Sequence, residues 1–232
     1  MAFDESINDC TICKLVKAQK KPCIEERKRA ERQLQIIHGD IVGPIKPISY
    51  PNRWKYIIVF CDDFSRLATA YAIKTKDEAG EYLDKFLKSA KNLLGREEKV
   101  CYLKSDQGGE FSGGKCGEVM DKEGIEWDPS PPFTAEVNGL IERCQKTLQY
   151  KIRACMLDLD LPGTMWELAV EAAVQAYNRS PHKGINFESP IRKFAPGVKT
   201  HFDKIKRFGC IGYVKVPKTA TKFAQRAIIL LY

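Results

Sequence analysis

At 232 residues and 44% apolar content the chain can bury one substantial core, which accommodates one domain with flanking pieces. Lysine and arginine outnumber aspartate and glutamate by 38 to 30, a formal net charge of +8 that favours an anionic partner such as nucleic acid. No apolar run reaches the ~18 residues of a membrane span, and no signal-peptide layout opens the chain. The nine cysteines, scattered from Cys10 to Cys210, suit reduced thiols better than a disulfide framework. The expectation is an intracellular protein with no membrane partner.

Residues 14–33 are dense in charge and poor in large apolar side chains, so they read as a tether. Strand signals follow at Gln35 to Val42 and at Lys55 to Cys61, the latter a continuous apolar run of the kind buried on both faces. After the turn-like Asp62-Asp63-Phe64-Ser65, Ala68 to Ile73 completes an antiparallel meander. From Asp77 to about Leu94, Tyr82, Leu83, Phe86, Leu87 and Ala90 recur at helical spacing. Val100 to Ser105 is a short strand ending at Asp106, and Gly108, Gly109, Gly113 and Gly114 turn the chain into a short helix before Gly124. Ile125 to Asp128 reads as one more strand, and Pro129, Pro131 and Pro132 impose an irregular loop up to Asn138-Gly139. Helical spacing returns over Gly139 to Leu157 and Thr164 to Asn178, and strand character in Ile211 to Val216 and Ala227 to Tyr232. This order predicts an α/β domain with a mixed sheet of about five strands flanked by helices.

Three acids sit where the local pattern has no structural use for them. Asp40 shares a strand face with Ile36 and His38, while Ile37, Gly39 and Ile41 take the other. Asp106 lies at a strand exit, where the glycines that follow allow close approach. On the helix from Gly139, Ile141, Cys144, Leu148, Ile152 and Cys155 form the core stripe, and Glu142, Lys146, Gln149 and Arg153 a second one roughly 120° away. Carboxylates suit hard divalent ions, and two such ions about 3.5–4 Å apart activate a nucleophile and stabilise a leaving oxygen. Lys146 and Arg153 on the same face suit phosphates. Singly, each acid has a plainer reading: a surface charge, a turn former before glycine, and a first-turn acid favoured by the helix dipole. Asp62 and Asp63 read as a strand-ending turn with Ser65, and Asp128 as a loop acid before Pro129.

Jointly the acids are more specific. Asp106 and Glu142 stand 36 positions apart, with 35 residues between them. That spacing resembles the Asp, Asp, 35-residue spacer, Glu signature of retroviral and retrotransposon integrases. The segments His38 to Pro44, Phe60 to Arg66, Ser105 to Phe111 and Asn138 to Arg143 resemble the Ty1/copia branch in order and spacing. Trp166, Tyr177 to Pro181, Ser189-Pro190 and Phe208 to Cys210 extend the likeness from Cys10 to Tyr232.

The resemblance implies an RNase H-like fold that processes DNA 3′ ends and transfers them to target DNA using two Mg2+ (or Mn2+) ions. Asp40 would bridge both ions, Asp106 would hold one and Glu142 the other. Lys146, Gln149, Arg153 and Asn138 would contact DNA, and Ser130 to Asn138 would be a flap beside the site. It further implies a homo-oligomer acting in the nucleus on element ends and target DNA, as part of a longer Pol polyprotein.

The expected division is 1–33 for the remnant of an N-terminal zinc module and a charged linker, 34–195 for the catalytic core, and 196–232 for a truncated C-terminal extension. Cys10-Thr11-Ile12-Cys13 matches half of a zinc module, but no histidine precedes it, so Zn2+ is not expected here. Gln107 stands where the family has Asn, and Ala135-Glu136-Val137 replaces a Pro-Gln-Gln flap. Two alternatives stay open: a degenerate or domesticated relative that binds DNA without chemistry, and a related nuclease that hydrolyses rather than joins.

Overall fold

The computed structural model describes residues 29–130, 139–200, 205–215 and the backbone of 227–231. The strands are β1 (Ile36–Val42), β2 (Tyr56–Asp62), β3 (Ala68–Ile73), β4 (Tyr102–Ser105), β5 (Glu126–Pro129), β6 (Ile211–Lys215) and β7 (Ala227–Leu231). The α-helices are α1 (Ala79–Leu94), α2 (Gly109–Ser112), α3 (Gly114–Glu123), α4 (Gly139–Asp158), α5 (Trp166–Arg179) and α6 (Pro190–Phe194).

Strands β1 to β5 form one sheet in the order β3-β2-β1-β4-β5. The meander β1-β2-β3 is antiparallel. β4 joins β1 in parallel, and β5 joins β4 in parallel, so the sheet is mixed. β6 and β7 make a separate antiparallel pair, tied to the end of α4 by an ion pair from Arg207 to Asp158.

Each sheet face is covered because β2 is apolar on both sides. Ile58 and Phe60, with Ile37 of β1, pack against Leu83, Phe86 and Leu87 of α1 and Cys116 and Met120 of α3. The rings of Phe60 and Phe86 stack at 5.3 Å between centroids. Ile57, Val59 and Cys61 face the other way, onto Ile141, Cys144 and Leu148 of α4 and Trp166, Ala169 and Ala173 of α5. Gly39 is small for a local reason: a Cβ there would lie 3.2 Å from the buried ring of Phe111, which packs α2 across β1.

Several details depart from the sequence expectation. A short 3-10 turn over Lys76–Glu78 precedes α1, because the Glu78 carboxylate accepts the backbone N–H of Lys74 (2.9 Å) and of Thr75 (2.8 Å). Two short helices, not one, lie between β4 and Gly124. Asp128 is not a loop acid: it stands within β5 and pairs with Lys104 of β4 at 3.1 Å. Asp62 is more than a turn former. Fully buried, it accepts from the backbone of Leu34 (2.8 Å) and Ser65 (2.8 Å) and from the Ser65 hydroxyl (2.6 Å), joining the entry of β1 to the end of β2. Cys10 and Cys13 lie outside the described residues. Among the described residues no helix is long and apolar enough to cross a membrane.

Candidate active site

The parallel pairing of β1 and β4 brings two of the acids together. Its register matches Ile36 to Tyr102, Ile37 to Leu103 and His38 to Lys104, a constant offset of 66 positions. Carried two residues further, the same offset sets Asp40 opposite Asp106, just beyond the end of β4, on neighbouring strands ~4.8 Å apart.

The two carboxylates meet different surroundings. Asp106 is exposed, and its Oδ1 accepts the Gly108 backbone N–H at 3.1 Å. Asp40 is half-buried, on the sheet face that α4 covers, and accepts the Ile41 backbone N–H at 2.7 Å. Burial pushes its carboxyl up to about 6, and the nearby charges of Asp106 and Glu110 add to the rise against the lowering effect of the Ile41 N–H and the Gln145 amide. A site that costs this much to ionise is one that a cation would stabilise.

Glu142 occupies the first turn of α4, half-buried, on a helix packed against β1 and β2. Among the described residues, no three acidic, histidine or cysteine side chains gather closely enough to hold a metal ion. The fold thus pairs Asp40 with Asp106 and sets Glu142 in the first turn of the helix that packs on β1 and β2. The donor set itself, three carboxylates with no sulfur or imidazole, fits Mg2+ or Mn2+.

Lys146 and Arg153 are exposed on α4 and Gln149 is half-buried between them. The Arg153 guanidinium lies over the Tyr150 ring, 5.8 Å from its centroid. Asn138 lies outside the described residues, as does the rest of the flap from residue 131. Of that loop Ser130 is described, with its backbone N–H donating to Ser105 at 2.9 Å.

Sequence reasoning overlooked two neighbours of the acid pair, Gln145 and Glu110. Gln145, one turn after Glu142, is buried; its Nε2 makes no hydrogen bond of good geometry, yet it lies near enough to the Asp40 carboxyl to favour the ionised form. The available signal was a polar amide interrupting the core stripe between Cys144 and Leu148. Glu110 reaches Lys76 at 2.9 Å, which outweighs its burial and holds its carboxyl below the usual range. Gly108, one of the glycines expected to allow close approach, sits against Glu110 and Asp106: a Cβ there would come 2.6 Å from Glu110 Oε2 and 2.9 Å from Asp106 Oδ1.

Comparison with known proteins decides the domain's family. The model of the integrase core domain matches residues 30–135. The chain is also 30% identical, over 98% of its length, to the Retrovirus-related Pol polyprotein from transposon TNT 1-94 of Nicotiana tabacum. Residues 30–135 of this chain are an integrase core domain.

The chain is 31% identical over 88% of its length to the Retrovirus-related Pol polyprotein from transposon RE1 of Arabidopsis thaliana. It spans 17% and 13% of the lengths of these two relatives. Among solved structures, it is similar to the HTLV-2 integrase catalytic core domain in complex with magnesium (trimeric form), with TM-score 0.54 and 20% identity over 72% of this chain and 99% of that one. It is also similar to a chain of the simian T-cell lymphotropic virus intasome in complex with PP2A regulatory subunit B56 gamma, with TM-score 0.63 and 18% identity over 96% of this chain and 77% of that one. The fold is accordingly the RNase H-like one of retroviral integrase cores.

Proposed function

We propose that this integrase core processes DNA 3′ ends and transfers them to target DNA for a retrotransposon, with Asp40, Asp106 and Glu142 as its catalytic carboxylates. The observation that carries the reading is the β1–β4 register, which sets Asp40 opposite Asp106 where burial and a like charge make Asp40 hard to ionise. When bound, two Mg2+ or Mn2+ ions held by these carboxylates would offset charge on the phosphodiester and ease deprotonation of the attacking water or 3′-hydroxyl.

The chain's own residues have distinct parts in this reading. Asp106 is exposed and tied to the Gly108 N–H, so its free oxygen faces solvent and substrate. Asp40 draws in positive charge from a half-buried position. Lys146 and Arg153 hold the DNA backbone from the α4 face, with Gln149 between them, and Asn138, which precedes Gly139 in the sequence, is a further contact. The same reading makes the protein a homo-oligomer that acts in the nucleus on element ends and target DNA.

An end-joining assay with Mg2+ or Mn2+ tests this. Asp106→Asn should abolish both end trimming and joining while leaving DNA binding in place, and joining that survives the substitution refutes the assignment. Salt-sensitive DNA binding with no metal-dependent reaction in the unaltered chain would mark a degenerate relative, and hydrolysis without joining a nuclease.

A further inference from the structure

The loop between β1 and β2, residues 43–55, carries three cations and no carboxylate. It is firmly built despite its length. Ile45 donates its N–H to the Lys55 carbonyl (2.7 Å), Ser49 to that of Trp54 (3.1 Å), and Trp54 back to the Ser49 hydroxyl (2.8 Å). The loop is docked on the start of α5: Tyr50 N–H donates to the Thr164 carbonyl (2.9 Å), and the Trp166 indole to the Pro47 carbonyl (3.1 Å). Glu167 accepts from Ser49 Oγ (2.5 Å) and Asn52 Nδ2 (2.7 Å), so this carboxylate serves to fix the loop.

What the loop presents outward is positive. Lys46, Arg53 and Lys55 are exposed, and among the described residues none of them is in an ion pair. Arg53 holds a left-handed backbone at φ 60, a conformation that costs a bulky residue energy and that glycine would adopt freely. Tyr50 beside these cations is 69% exposed. Lys74, at the end of β3, adds a fourth exposed cation with its ammonium 5.3 Å from the Trp54 ring centroid.

The topology sets this surface beside the acid pair. β1, β3 and β4 run in the same direction, so the loop after β1, Lys74 after β3 and Asp106 after β4 share one edge of the sheet. The Lys76–Glu110 contact at 2.9 Å closes that edge between the second and third of these segments.

We infer that the loop 43–55, with Lys74, is a second binding surface for the phosphate backbone of duplex DNA, separate from the α4 face. It grips the duplex flanking the reacting bond. A pre-ordered loop loses little freedom on binding, and exposed, unpaired cations on one edge release counterions from DNA without first breaking internal ion pairs. The inference rests on the proposed DNA-joining function.

Its test is the salt dependence of binding. The triple variant Lys46→Gln, Arg53→Gln, Lys55→Gln of the 232-residue chain is titrated with a fluorescent duplex by anisotropy across a salt series. Each backbone contact contributes about 0.9 to the slope of log affinity against log salt, so the slope should flatten by about 2.7. Lys55→Gln alone should flatten it by about 0.9, which keeps the test open if the triple variant folds poorly. A slope unchanged in both variants overturns the loop surface, and if Lys146→Gln with Arg153→Gln still flattens it, the proposed function stands without it. Failure of the unaltered chain to bind duplex DNA overturns both.

Discussion

Replacing Asp40 by asparagine should make the metal-free protein more stable at alkaline pH, although it removes a residue assigned to catalysis. The Asp40 carboxyl is pushed up to about 6 from 3.8, chiefly by burial. A folded-state pKa above the unfolded one means that this group favours the fold below about pH 4 and loses that contribution as pH rises through about 6. The difference of roughly two units, at ~1.36 kcal/mol each, puts the penalty of the ionised form at about 3 kcal/mol at pH 8. Asparagine keeps an oxygen for the Ile41 N–H and carries no charge, so Asp40→Asn should recover up to that amount. For a chain of this size the gain corresponds to a midpoint rise of about 6–12 °C.

Urea unfolding in a chelator, at pH 8 and again near pH 4.5, measures it. The variant should lead at pH 8, and the two proteins should converge at the lower pH. Excess Mg2+ should then narrow the gap at pH 8 by stabilising the unaltered protein alone. A variant no more stable than the parent at pH 8, or a gap independent of pH, would refute the burial of charge at this position.

Two further outcomes follow from neighbouring groups. Asp63 is held down at about 2: burial opposes this, but donors from His38, the Ala30 backbone and Arg66 outweigh it. Its stabilisation is present above about pH 4 and lost as pH falls through about 2. Asp63→Asn should therefore cost about 2–3 kcal/mol at pH 7 in urea unfolding, and the difference should shrink towards pH 2. Gln145→Leu keeps the volume beside Asp40, removes a buried Nε2 that has no well-formed hydrogen bond and should leave stability unchanged or raised. Without that amide the Asp40 carboxyl ionises at higher pH, so the rise of joining activity with pH should move upward; an unmoved profile reduces Gln145 to a space filler.

The sheet was legible because β2 reads as a short, β-branched apolar run bounded by turn residues, and the longer helices showed themselves by their 3.6-residue period. Alternation placed Asp40 on the face that α4 covers. The spacing of Asp106 and Glu142 pointed to the family, yet spacing along a chain says nothing about closeness. The β1–β4 register accounts for the first two acids, while Glu142 belongs to a helix whose position depends on packing against β1 and β2. Asp62 looked like a turn residue because its partner Leu34 is 28 positions away. Asp128 looked like a loop acid because the residue that recruits it, Lys104, lies on a strand formed much earlier in the chain. The basic loop escaped notice because its cations are interspersed with prolines and become a surface once Thr164, Trp166 and Glu167 hold it in place.

The parallel union of β1 and β4 also dictates when the chemistry can exist. As the chain emerges from synthesis, β1, β2 and β3 can pair as a local hairpin stack while β4 is still to be made, which leaves β1 as a bare, largely apolar edge. A nonlocal pairing of this kind is a slow contact to form. Asp40 alone in such a half-built sheet has no partner acid, so an unfinished chain lacks the pair on which the proposed chemistry depends. The arrival of β4, with β5 still to join it, covers the bare edge of β1 and brings the acid pair into being in the same event.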